Sequence, residues 1–375
     1  MSNEEIGSPT EEERTRFGWL FDADLITLAV GSIVIVVLGG IVQVSHGAYS
    51  MTYTEAVRAL FNPDVIFDLR AWDAFLWGHD LPDMHPDSIV VWNIRLPRVF
   101  LAVFVGTNLA VSGAIFQAVT RNELASPFIL GVSSGAGFLI LLTLVVFSGL
   151  ARLLPLIAAA GGAGAFLLVY AVAWQGGTSP VRLVLAGVIV GTVFQSLQTG
   201  MFFFADNIAV VQSGIEWTTG SLAGTDWDEV RIILPWTIIA IGLSLVGARQ
   251  LNVLLLGERT ASSLGMPVER MRFALSSVAV LAAAASIAVA GIVSFIGLIV
   301  PHVVRNIVGS DYKKLIVGCL FAGPALTIAA DVGARLGLTV ILGESVQMPV
   351  GIVTGLIGGP YFLYLMRKQQ NMGEI

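Results

Sequence analysis

Ten stretches of about twenty apolar residues each constrain this chain more than anything else in it. A segment that long and that apolar can satisfy its backbone inside hydrocarbon only as a helix or as part of a closed barrel, and twenty-residue runs without alternation point to helices. They lie near 25–44, 97–118, 127–147, 153–174, 183–204, 230–248, 273–293, 292–308, 315–335 and 349–367. The seventh and eighth run together without a polar loop, and the eighth is short and interrupted by Pro301. Only 12% of residues are charged, where a soluble domain carries about 25%. The expected fold is an all-α polytopic membrane protein with about ten transmembrane helices.

An even number of spans puts both termini on one side. Cytoplasmic loops carry an excess of Lys and Arg. With both ends inside, 13 of the 20 basic residues (Arg14, Arg16, Arg121, Arg182, Arg249, Arg259, Arg270, Arg272, Arg305, Lys313, Lys314, Arg367, Lys368) face the cytoplasm. Arg95, Arg98 and Arg335 break the rule and fall on the outer face. Residues 1–24, with Glu4, Glu5, Glu11, Glu12 and Glu13, read as an acidic cytoplasmic tail without a signal-peptide pattern. The transmembrane domain covers 25–367, and 368–375 forms a second cytoplasmic tail. Lysine is scarce (Lys313, Lys314, Lys368), which with a net charge of −6 hints at a salt-adapted source. Residues 45–94 form an outer loop that caps the mouth, with Trp72, Trp77 and Trp92 expected at headgroup level and its aspartates in solvent.

Glycines four apart, Gly131 and Gly135, Gly187 and Gly191, Gly351, Gly355 and Gly359, allow helices to approach closely or leave room for a path. Chemistry is sparse. Asp331 sits near the outer end of the ninth span and Glu123 in a loop, with no carboxylates at mid-membrane of the kind ion-coupled carriers use. His46, His79, His85 and His302 show no metal-like pairing, and the lone Cys319 excludes an internal disulfide. A phosphate-binding loop needs a lysine, and none precedes Lys313. No catalytic residue, metal site or cofactor is expected on this chain, and no nucleic-acid partner; membrane lipid surrounds it.

The stretch NVLLLGERTASSLGMP, Asn252 to Pro267, lies in a cytoplasmic loop spanning 249–272. Glu258 to Leu264 reads as two helical turns with small surface residues, ended by Gly265 and blocked by Pro267. It is either a plain connection or a plug for a groove on another protein. With no energy source of its own, a chain so built fits a permease driven by a docked ATPase. An ion-coupled secondary transporter and a non-transporting receptor are the competing readings.

Four segments in order, IRLPRVFLAVFVGTNLAVSGAIFQAVTRNELASPFILGVSSGAG (94–137), LNVLLLGERTASSLGM (251–266), AVAGIVSFIGLIVPHVVRNIVG (288–309) and MPVGIVTGLIGGPYF (348–362), resemble the FecCD-type permeases. These are membrane subunits of type II ABC importers for cobalamin, haem and ferric siderophores. The resemblance implies the ten-helix type II importer fold and a homodimer with its path on the two-fold axis. It further implies two ATPase subunits binding ATP and Mg, and an extracytoplasmic substrate-binding protein. By the same resemblance Arg95, Arg98 and Arg335 dock the binding protein, as fixed cations would, the alternative being that they snorkel or pair with Asp331 or neighbouring loop acids. Gly257 to Gly265 is the coupling helix, with Glu258 and Arg259 as charged contacts and Ala261 and Leu264 as apolar ones. Asn122 and Leu124 match a gate turn, although Glu123 stands where proline is usual. Ser179, Pro180 and Val181 depart from a second gate position, and the fifth span, with Gly187 and Gly191, lines the path. The matching rim arginines lean slightly toward a corrinoid; haem and ferric siderophores stay open.

Overall fold

The computed structural model describes residues 18–47, 49–342 and 347–373; most of the acidic tail, including Glu4, Glu5 and Glu11 to Glu13, lies outside them. The described chain is helical throughout, without strands. Helix α1 (Ala23–Ser45) begins at Asp22, whose carboxylate accepts the N–H groups of Asp24 and Leu25. Short helices α2 (Tyr53–Leu60), α3 (Pro63–Ile66), α4 (Leu69–Trp77) and α5 (Pro86–Ile89) follow, and a π-helical turn at Val90–Arg95 leads into α6 (Leu96–Thr120). Next come α7 (Val132–Val145), α8 (Leu154–Ala173), α9 (Pro180–Phe202) and α10 (Ile208–Thr219). Then follow α11 (Trp227–Leu255), α12 (Glu258–Ser263), α13 (Val268–Ala290), α14 (Ile296–Val308), α15 (Tyr312–Leu342) and α16 (Val350–Gly373).

Seven of these segments are long and apolar enough to cross a membrane, and three shorter apolar helices, Val132–Val145, Ile296–Val308 and Val350–Tyr364, accompany them. Together they match the ten expected spans. Helix α6 is the axis of the bundle, packing against α11, α13, α14 and α15. Its inner surface is made of small residues. A Cβ added at Gly113 would fall on the carbonyl of Gly297, and one at Gly106 on the carbonyl of Gly323. The backbones of α6, α14 and α15 are therefore in direct contact, as dispersion-driven packing in lipid requires. Gly135 meets Gly161 and Ala165, Gly187 meets the Ile129 carbonyl, and Gly351 meets that of Thr219. Gly355 and Gly359 face open space. Large apolar side chains point outward from α1, α9, α11 and α16, the surface expected for lipid or a partner helix.

Three sequence expectations change. Helix α14 runs unbroken through Pro301; the interruption lies before it, at 291–295, where Gly291 and Phe295 both adopt positive φ (69° and 67°). Pro301 lacks only the N–H that would bond to Gly297, whose carbonyl already lies against α6. Residues 45–94 form a helical cap with its own core. Trp92 is buried there rather than at headgroup level, stacked on Phe75, which stacks in turn on Trp227, while Trp77 remains exposed. The Trp92 indole donates to the Ala59 carbonyl at 3.0 Å and the Trp227 indole to that of Trp92 at 2.9 Å, so each ring buries its polar atom with a partner. Finally, Val253 to Leu255 are the last turn of α11, which continues until Gly257 breaks it, and α13 starts directly after Pro267.

Candidate functional site

At the end of the bundle that carries the cap, three arginines converge. Arg98 donates from Nε and Nη2 to the two oxygens of Asp331, each at 2.8 Å, and from Nη1 to Gln347 Oε1 at 2.8 Å. Gln43 Nε2 adds a third bond to Asp331 at 2.8 Å. Arg95 donates to the carbonyl oxygens of Val44, at 2.6 Å, and Tyr49. Arg335 donates to the carbonyl of Gln43 at 3.0 Å. All three line one cavity of about 580 Å³, together with Asn93, Asp226 and Gln347. Arg95 and Arg98 are only 5% and 8% exposed, and Arg98 takes the pairing with Asp331 that was the alternative to a docking role. Their guanidinium groups also knit α1, α6 and α15 together.

At the opposite end, α12 has the expected shape. Gly257 (φ 98°) enters it and Gly265 (φ 79°) leaves it, both in conformations that a Cβ would strain. Leu256 and Leu264 project on either side, 60% and 65% exposed, with Arg259 beside them. Two residues behave otherwise than expected. Ala261 is fully buried, because α12 rests that side on α11 and α13 and has no room there for a partner. Glu258 turns back to Arg272 Nη2 at 2.5 Å.

Beside α12 sits the turn after α6. Arg121 takes positive φ (48°), and the Asn122 side chain accepts the Leu124 N–H at 2.9 Å while its carbonyl accepts that of Ala125 at 3.0 Å. Glu123, the departure from proline, lies 3.6 Å from both His302 Nδ1 and Arg305 Nη1 and so ties the turn to α14. Arg305 Nη2 also donates to Gln117 Oε1 at 3.0 Å.

Between these ends, Gly187 and Gly191 line a cavity of about 410 Å³ on the open side of α9. Its other walls carry Ser133 and Ser134 from α7 and Thr192, Gln195 and Gln198 from α9, hydrogen-bonding groups without charge. Asn122 and Leu124 stand outside it. Among the described residues, no three His, Cys, Asp or Glu side chains converge as a metal site would need. Sequence reasoning missed two features. One is α10, which packs beside the cavity against α7 and α16. The other is a buried network around Arg272, visible in the sequence only as one more inner-face charge.

Among the described residues, ten apolar helices with an uncharged cavity along one face and arginines lining another cavity at one end define a multi-span membrane protein. The particular kind follows from its relatives. The model of the FecCD transport family matches residues 34–368, and the chain belongs to that family. The Fe(3+)-citrate import system permease protein YfmD of Bacillus subtilis is 35% identical over 91% of this chain and 94% of its own length. The cobalamin import system permease protein BtuC of Halobacterium salinarum is 38% identical over 76% and 74%. A solved structure, an inward-facing conformation of a putative metal-chelate type ABC transporter, is similar with a TM-score of 0.75 and 26% identity, over 91% of this chain and 99% of that one.

Proposed function

We propose that this chain is the permease subunit of an ABC importer that carries a ferric chelate, ferric citrate or a related siderophore, across the cytoplasmic membrane. The family match over 34–368 carries the reading. The cargo is moved from the corrinoid favoured in the sequence to iron because the ferric-citrate relative aligns over 91% of the chain and the cobalamin relative over 76%. An uncharged hydroxyl- and amide-lined cavity suits a bulky polar chelate and leaves selectivity to the binding protein.

In this reading both termini are cytoplasmic, and the permease pairs with a second copy so that the open faces of α9 enclose the path. A separate ATPase, binding ATP and Mg, receives α12 between Leu256 and Leu264. The extracytoplasmic binding protein seats on the arginine-lined mouth. Arg95, Arg98 and Arg335 are all bonded within the chain, so the arginine-lined mouth acts as a fixed positive field that steers the encounter. The chain itself makes and breaks no covalent bond.

The test compares uptake of radiolabelled ferric citrate, ferric hydroxamate and cobalamin in the parent strain and in a strain lacking this chain, and repeats it in the parent strain with ATP held constant while the ion gradient is collapsed. Loss of iron uptake alone, insensitive to the gradient, supports the proposal. Loss of cobalamin uptake alone returns the cargo to a corrinoid, and loss on gradient collapse revives the ion-coupled carrier.

A further inference from the structure

Arg272, in the second turn of α13, is the largest fully buried side chain of the molecule among the described residues, and its charge is divided over three elements. Nη2 donates to Glu258 on α12 at 2.5 Å. Nη1 donates to Glu269 on α13 at 2.7 Å and to the carbonyl of Thr178, in the loop between α8 and α9, also at 2.7 Å. The second oxygen of Glu269 accepts the Thr178 hydroxyl at 2.8 Å. From there the loop is stapled to α9. The Ser179 hydroxyl caps that helix by accepting the Arg182 N–H at 3.3 Å, and Arg182 Nη2 donates to the Gly177 carbonyl at 2.9 Å.

Helix packing joins α12 to α9 only indirectly, through α13 seated on α6, α7 and α8. Helix α12 rests on α11 and α13, whereas α9 rests on α6, α7 and α8. Arg272 and Thr178 span the interval between the two groups. A planar guanidinium can hold a carboxylate on one side and a carboxylate and carbonyl on the other, which a single ammonium cannot reproduce with the same geometry. Arg272 is the one group bonded to Glu258, Glu269 and the Thr178 carbonyl at once, so the staple depends on that side chain.

We propose that Arg272 is the positioning residue that makes α12, the 174–179 loop and the first turn of α9 move as one body. A displacement at α12 is thereby delivered to the helix that lines the cavity. This rests on the reading of α12 as the surface that takes the ATPase stroke. It concerns the fifth span's root, where Ser179, Pro180 and Val181 depart from the family's second gate position.

The experiment uses the complete transporter with its ATPase. Cysteines are placed at exposed Thr260 on α12, Gln175 in the loop and Lys313 at the start of α15, and labelled in pairs for distance measurement; native Cys319 is fully buried and stays unlabelled. On adding ATP, the 260–313 distance is expected to change and the 260–175 distance to stay constant. In Arg272→Lys the 260–175 distribution should broaden, and transport per ATP hydrolysed should fall by about tenfold or more, the worth of one charge-assisted hydrogen bond. Separation of 260 from 175 in the unsubstituted background overturns the proposal, and that measurement decides it even if Arg272→Lys fails to assemble. An undisturbed 260–175 distance in Arg272→Lys also overturns it. If 260–313 ignores nucleotide altogether, the coupling reading of α12 fails and this inference falls with it.

Discussion

Arg98 and Asp331 stand 233 residues apart in the chain and meet through two parallel hydrogen bonds of 2.8 Å, with Asp331 fully buried. The pair locks α6, the axis of the bundle, to α15 at the mouth of the 580 Å³ cavity. Arg95 and Arg335 line the same cavity, so Asp331 holds like charges together as well as pairing with one of them. Removing the carboxylate alone, in Asp331→Ala, strands a buried guanidinium and should cost about 3–5 kcal/mol. The double variant Arg98→Met with Asp331→Leu removes both charges and should recover most of that loss. Thermal unfolding of the purified protein in detergent gives the cycle; losses that simply add would refute a coupled pair.

Gly113 on α6 and Gly355 on α16 separate packing from open space. Gly113→Ala would drive a methyl group into the Gly297 carbonyl, a contact between two backbones that neither side chain can relieve. A loss of at least about 1–3 kcal/mol is expected, as for overpacked cores. Gly355→Ala has no neighbour within 4 Å and should change stability little, with a small gain from better helix propensity. Equal unfolding temperatures for the two variants would mean that α6 and α14 are not in contact.

The two kinds of glycine looked alike in the sequence, and this marks where legibility ends. Hydrophobic run length gave ten helices because it depends only on local composition. Gly265 and Pro267 gave the far limit of α12 for the same reason, since each acts on its own neighbours. Which face of α12 is buried was not local. Ala261 and Leu264 both read as apolar contacts, and only packing on α11 and α13 turned one inward. Asp331 was open as a partner for the rim arginines, but the partners of Arg95 were hidden, since nothing near it in the sequence announces the carbonyls of Val44 and Tyr49. The Trp92 side chain misled because an amphipathic ring suits a headgroup layer and a small aromatic core alike.

Asp22 offers a pH test of how the first helix is anchored. The Lys314 ammonium hydrogen-bonded to its carboxylate, with the N–H groups of α1 beside it, holds the Asp22 carboxyl below its usual value of 3.8. A carboxyl depressed in the folded state stabilises fully above its unfolded pKa and loses that contribution as pH falls through its folded one. The unfolding temperature of Asp22→Asn should therefore lie below that of the unsubstituted protein at neutral pH, and the gap should narrow below pH 3.8. No gap at neutral pH would mean that capping, which Asn also supplies, and not charge fixes the helix start.

Glu123 stands where the resemblance implies a proline, and its carboxylate lies 3.6 Å from His302 Nδ1 and Arg305 Nη1, contacts that tie the turn to α14. The carboxylate is half exposed and both distances are long, so about 0.2–1 kcal/mol is at stake. Glu123→Gln should speed amide exchange of Leu124 and Ala125, whose N–H groups close the turn on Asn122, by up to about fivefold. Exchange in α12 should be unaffected. Unchanged protection at 124 and 125 would show that the Asn122 side chain alone maintains the turn.

The opposed faces of α12 give the sharpest contrast between folding and docking. Leu264 is mostly exposed, and Leu264→Asp should alter stability by no more than about 0.5 kcal/mol, as surface substitutions do. It nevertheless puts a charge where an apolar side chain would enter a partner's groove, so the ATPase should no longer co-purify. Ala261→Asp instead buries a carboxylate between α12, α11 and α13 and should lower the unfolding temperature sharply, since an unpaired buried polar group costs several kcal/mol. Unfolding temperature and ATPase retention, measured on the same preparations, should thus part company in Leu264→Asp and fall together in Ala261→Asp. If Leu264→Asp kept the ATPase bound, the docking face would have to be sought away from α12.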